Sequence, residues 1–162
     1  MLLRGLLGIA LVAAVAGCGG SDTTTTTSLA PGCDVPRIAA VVNGFFTAVS
    51  SGDQARLARR VSISPRYLIH DGADANERRV TLNRRTGVLR YFAERHRLKE
   101  RARVISLRVA PGTDANHSLV DGRLTRTATD FPRRGMTTRL ASVTARVNCV
   151  TGRIERLLIQ GP

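Results

Sequence analysis

Leu140 to Gln160 reads LASVTARVNCVTGRIERLLIQ, and its alternation decides the architecture. Val143, Ala145, Val147 and Cys149 fall on one side of an extended chain, with Ser142, Thr144, Arg146 and Asn148 on the other. Period two with one apolar side is the pattern of a half-buried strand. Thr151-Gly152 then supplies a tight turn into a further strand, Arg153 to Gln160, so the stretch predicts a β-hairpin.

The same period extends upstream. Leu119 to Thr129 reads as a strand. Ile105, Leu107 and Val109 alternate with Val104, Ser106 and Arg108 before a Pro111-Gly112 turn. Earlier still, the period becomes helical. Asp34 can cap a helix that Pro36 enters in its first turn, and Ile38, Val41, Val42, Phe45 and Val49 make one apolar stripe along it. Gly52 stops this helix, and Asp53 opens a second, short one carrying Leu57 and Val61. Pro65 and Asp71-Gly72 interrupt the next stretch around Tyr67, Leu68 and Ile69. Thr86 can cap a third helix with Val88, Leu89, Phe92 and His96 on one side. Helices first and a meandering antiparallel sheet afterwards predict an α+β domain.

The N-terminal segment carries an address. Arg4 precedes an apolar run from Leu6 to Ala16, and Val15-Ala16-Gly17-Cys18 fits a lipobox, in which the cysteine becomes acylated. The run is shorter than the roughly 20 residues a membrane span needs. The expected organisation is a signal peptide over 1–17, a lipidated Cys18 with a flexible Thr-rich tether over 18–32, and one folded domain over 33–162. This places the domain at the outer face of the bacterial cytoplasmic membrane, held by diacylglyceryl and palmitate-type chains. The alternative is an ordinary cleaved signal that Cys18 merely happens to follow. With Cys18 lipidated, Cys33 and Cys149 are left as a pair in an exported compartment that permits disulfides. A structural disulfide is the expectation; two buried thiols or a redox couple are the alternatives, and the CxxC spacing of redox pairs is absent.

The formal charge is +13, and Lys99 is the only lysine among 25 basic residues. A basic domain beside a membrane is drawn to anionic lipid or cell-wall polymer; arginine-rich codon usage explains the same composition without a partner. Nucleic acid is not expected as a partner, because the chain reads as exported and has no aromatic-basic stacking motif.

Three stretches carry a resemblance. Phe45 to Asp53 (FFTAVSSGD), with Leu57, is similar to the first helix and Gly-Asp break of the nuclear transport factor 2-like superfamily, which includes SnoaL-like proteins and ketosteroid isomerase. Tyr91 to His96 (YFAERH), followed by Glu100, resembles a secreted lipoprotein subgroup of high-GC Gram-positive bacteria. Leu124-Thr125-Arg126, Asp130 and Asn148 to Ile154 resemble the C-terminal hairpin of the same subgroup. The resemblance implies N-terminal helices packed on a strongly curved antiparallel sheet, a cone with an apolar pocket. It implies no particular reaction. Leu157-Leu158-Ile159-Gln160 departs from the aromatic final strand frequent among such proteins.

Catalysis of the isomerase kind needs a carboxylate base in an apolar pocket and a donor, often Tyr, for an enolate oxygen. Glu94, Glu100, Asp121, Asp130 and Glu155 are the carboxylates to consider, and spacing assigns none of them to a pocket. The tentative pocket residues are Tyr67, Tyr91, His96 and Arg126. His96 lies one helical turn after Phe92, where it can face the cone as an acid or base, or else end the third helix near its negative dipole. Arg126 shares a strand face with Leu124 and Ala128, where it can hold an anionic head or pair with a carboxylate at the rim. His70-Asp71 with Asp74 and Glu77 reads as a solvated loop, and His70, His96 and His117 match no zinc spacing. No metal, cofactor or catalytic residue is therefore assigned. The sequence favours a non-enzymatic lipoprotein that binds a small apolar ligand or a partner protein. The alternatives are an isomerase or cyclase using a pocket His or carboxylate, and a dimerisation module using the sheet face of Ser142, Thr144 and Arg146.

Overall fold

The computed structural model describes residues 33–70, 79–131 and 138–161. Helix α1 spans Val35–Ser51; the Asp34 carboxylate accepts a hydrogen bond from the Arg37 backbone N–H at 2.9 Å. Gly52 ends it in the left-handed region, φ 73°. Glycine is required there twice over, because a Cβ would stand 2.6 Å from the His96 ring. Helix α2, Gln54–Arg60, is capped by Asp53, which accepts from the Arg56 N–H at 2.8 Å.

Val61, expected on the second helix, instead begins strand β1, Val61–His70. The strand runs through Pro65 because its pairing shifts register between Val61 and Arg66, where a residue without an N–H is tolerated. Strand β2, Arg79–Leu82, pairs antiparallel with β1. Helix α3, Arg85–Arg97, takes its N-cap from Arg84 with no side-chain cap, so Thr86 lies within its first turn. Strands β3 (Arg101–Pro111), β4 (His117–Thr127), β5 (Thr138–Asn148) and β6 (Arg153–Gln160) follow.

The six strands form one sheet in the order β2-β1-β6-β5-β4-β3. Every pair is antiparallel except β1–β6, where the last strand returns to lie beside the first. Two bulges bend it. In β3, Val104 faces Leu124 and Ser106 faces Arg123, so Ile105 is the extra residue and is 56% exposed. The simple alternation expected there thus changes phase: Val104, Leu107 and Val109 pack towards the core. In β6, Ile154 pairs with Val147 and Arg156 with Arg146, leaving Glu155 as the extra residue. Bulges add twist and curvature. The result is a curved sheet wrapped on three helices, the α+β cone expected from the sequence.

The cone is filled. Phe45 meets Phe46, Phe92 and Tyr67 edge to face, with centroids 5.2, 5.3 and 6.1 Å apart. Ile38, Val42, Val49, Leu57, Leu124, Ile154, Leu157 and Ile159 are buried around them. Cys33 and Cys149 form a disulfide, with Cα atoms 5.0 Å apart across 116 residues of sequence. Closing so long a loop restricts the unfolded chain. Replacing both cysteines by serine is expected to lower the unfolding free energy by about 4 to 5 kcal/mol. Urea melts measure this, and a loss under about 1 kcal/mol would contradict the entropic role.

Candidate functional site

The four residues singled out from the sequence occupy four different places. Tyr67 is buried on β1 and donates its hydroxyl to the Ile154 carbonyl at 3.0 Å. Burial pushes its ionisation far above the usual phenol range, so it serves as a core strut. Tyr91 lies half-buried on α3, its ring edge-on to Phe92 at 5.0 Å, beside a surface recess with Leu82, Arg90 and Glu94. His96 lies against Gly52 at the end of α1, and its buried Nδ1 has no hydrogen-bond partner among the described residues. Arg126 points inward from β4 and donates Nε–H to Glu100 at 2.8 Å.

Arg126 belongs to a buried ionic cluster at the rim. Glu100, 1% exposed, bridges Arg126 and Arg95, and Arg95 also makes a bidentate pair with Asp130. The Phe131 ring receives the guanidinium groups of Arg95, Arg126 and Arg139 at 5.0 to 5.1 Å from its centroid. Cation–π contact and carboxylate pairing together offset the desolvation of these charges. These pairs commit the buried guanidinium groups of Arg95 and Arg126 to carboxylates of the fold itself. Asp71, Asp74 and Glu77 lie outside the described residues, as does Cys18.

The open concavity is on the opposite face of the sheet. Strands β1 and β6 each place an Arg-x-Leu triplet there: Arg66-Tyr67-Leu68 and Arg156-Leu157-Leu158, in parallel register residue for residue. On β5, Arg146 stands opposite Arg156 and Thr144 opposite Leu158. On β4, Leu119 stands opposite Arg146. Tyr67 and Leu157 point into the core, so the arginines and leucines line a groove of about 410 Å³. Its lining adds Thr113 and Ala145 and holds no carboxylate, imidazole or thiol among the described residues. The sequence pattern predicted Arg146 and Thr144 on this face. Arg66, Leu68, Arg156 and Leu158 escaped it, although the repeated triplet was a usable signal.

A second polar cluster holds Arg146 in place. Its Nη2 donates to Asp114 at 2.9 Å, and its Nε lies 3.9 Å from Glu155. His117 bridges the same two carboxylates, through Nδ1 to Asp114 and through Nε2 to Glu155 at 3.0 Å. The His117 hydrogen bond, aided by the Asn116 N–H and the nearby positive charges, holds the Asp114 carboxyl below the usual carboxylate range. Chemically, the groove offers guanidinium donors beside apolar carbon, with the Asp114, His117 and Glu155 cluster engaged behind Arg146.

No protein-family model and no curated protein sequence matches the chain. Solved structures do. A candidate calcium/calmodulin-dependent protein kinase II association domain from Xanthomonas campestris is 17% identical, with 83% of this chain and 92% of that chain covered and a TM-score of 0.62. A Nostoc punctiforme protein of unknown function with a cystatin-like fold is 11% identical over 83% and 96% of the two chains, TM-score 0.62. A candidate polyketide cyclase from Sinorhizobium meliloti is 21% identical over 74% and 93%, TM-score 0.52. At these identities the likeness is one of fold. The chain shares the nuclear transport factor 2-like, cystatin-like cone.

Two substitutions check the electrostatics. Glu100→Gln removes a buried carboxylate shared by two guanidinium groups and is expected to cost about 3 to 5 kcal/mol in chemical unfolding; near-neutrality would mean that water already screens the cluster. Asp114 titrates lower folded than unfolded, so its contribution is fully present above pH 3.8 and is lost as pH falls below it. Wild type should therefore exceed Asp114→Asn in stability near neutrality, the gap closing in strong acid. A gap constant across that range would refute the assignment.

Proposed function

We propose that this protein is a lipid-anchored, extracytoplasmic binding protein whose ligand site is the outer face of the sheet. It would belong with the secreted lipoproteins of high-GC Gram-positive bacteria that its motifs resemble. Cys18 would carry the acyl chains, and residues 18–32 would tether the domain close to the membrane. One observation supports the ligand site: the cone interior is occupied by Phe45, Phe46, Tyr67 and Phe92, whereas the groove beneath Arg66, Arg146 and Arg156 is open.

The reading is one of binding without catalysis. Among the described residues, the groove's lining carries no carboxylate or imidazole to move a proton. Dimerisation through the same face is disfavoured by charge. A two-fold contact brings one patch against its own copy, and here that would oppose two rows of arginine.

N-phenyl-1-naphthylamine, a neutral apolar fluorophore, tests the location of the site. Its emission is expected to rise on binding, with affinity falling about tenfold in the Leu68→Gln, Leu158→Gln double variant as apolar contact is lost. Val88→Ala, inside the core, should leave that affinity unchanged. The reverse pattern would move the site into the cone. In cells, labelled palmitate should enter the wild-type chain and not Cys18→Ser; incorporation into both would overturn the anchor.

A further inference from the structure

The arginine row has a cost that the free protein does not recover. Arg66, Arg156 and Arg146 occupy adjacent register positions on three neighbouring strands. Such strands lie about 4.8 Å apart, and like charges directly opposite one another destabilise a sheet. Arg146 is compensated by Asp114 and Glu155. Arg66 and Arg156 have no carboxylate partner among the described residues, and both are exposed. This contrasts with Arg95, Arg126 and Arg146, each of which is paired.

One register step along the strands the chemistry changes. Leu68 pairs with Leu158, two residues beyond the arginines, or about 6.6 Å at the usual strand rise. Leu119 continues the apolar surface beside Arg146. A planar guanidinium pair matches the oxygens of a carboxylate or phosphate, and leucine carbon matches an alkyl chain. A polyanionic polymer would satisfy the arginines while leaving the leucines wet. A neutral apolar molecule would cover the leucines and leave the repulsion standing. The volume, about 410 Å³, lies towards the small end of the roughly 300–1,000 Å³ spanned by small-molecule sites, which suits one chain better than two.

We infer that the groove takes a single-chain anionic amphiphile, its carboxylate or phosphate head between Arg66 and Arg156 and its alkyl chain across Leu68 and Leu158. This rests on the outer-face reading above and adds the ligand class to it. Such a molecule can arrive as a free monomer or from a bilayer, and the geometry fits the monomer: the groove accommodates one chain lying along the sheet.

The test uses the Cys18→Ser chain, which carries no acyl group of its own, and titration calorimetry with dodecanoate, dodecanol and dodecyltrimethylammonium below their micellar concentrations. Dodecanoate is expected to bind about tenfold or more tightly than dodecanol, as a charge-assisted pair provides, and the cation more weakly than either. Arg66→Gln with Arg156→Gln should bring dodecanoate to the dodecanol affinity. The same double variant should melt no lower than its parent, because the repelling pair has gone. Equal affinity for dodecanoate and dodecanol would overturn the inference, and so would a preference for dodecanoate that survives the double substitution. Binding of N-phenyl-1-naphthylamine that still depends on Leu68 and Leu158 would then leave the outer-face reading standing; loss of both would remove both. Acetate binding as tightly as dodecanoate would reduce the site to an anion site and refute the amphiphile. Anionic vesicles that bind in an Arg66- and Arg156-dependent way, with no monomer binding, would identify the bilayer as the source and refute the monomer.

Discussion

The packing of Phe45 against three other rings is the constraint from which the rest of this structure follows. Phe45 sits on the inner face of α1, fully buried, and touches Phe46 on its own helix, Tyr67 on β1 and Phe92 on α3. Edge-to-face rings add directional preference to the burial of apolar area. Four large rings at the centre of a small cone leave little room for a ligand among them. The fold is that of the cystatin-like structures, and the groove of about 410 Å³ lies on the other side of the sheet.

A fold can be shared while the site is relocated by a few side chains. Here the inner face of β4 ends in Arg126, committed to Glu100, and the inner face of β1 carries Tyr67, committed to the Ile154 carbonyl. Polar groups suited to catalysis are present, but their hydrogen-bonding capacity is directed at other parts of the protein. Arg66 and Arg156, exposed and with no carboxylate partner among the described residues, lie on the other face.

How much of this was legible in the chain depends on the range of the interaction. Helix α1 was readable because its determinants are local: Asp34 at its start, the apolar stripe and Gly52 at its end. The disulfide was readable by elimination among three cysteines. Strand β1 was not, because Pro65 reads as a breaker until the register shift against β6 is known. The bulges at Ile105 and Glu155 are likewise properties of pairing and leave no mark on either strand alone. The groove's one mark in the sequence is the repeated Arg-x-Leu triplet, and only pairing gives that triplet meaning. Arg66 and Arg156 are distant in sequence, and only the parallel return of β6 makes them neighbours.

The Cys33–Cys149 bond has a mechanical consequence. Cys33 stands just before α1, a helix that a pull applied at that end would otherwise unwind turn by turn. The disulfide routes such a load past α1 into the end of β5, a strand paired along both edges by β4 and β6. To extract the chain, a pull must disturb ladders on two sides at once. The central strands thus serve as the hitching point, and α1, with the aromatic centre it holds, stays slack under strain.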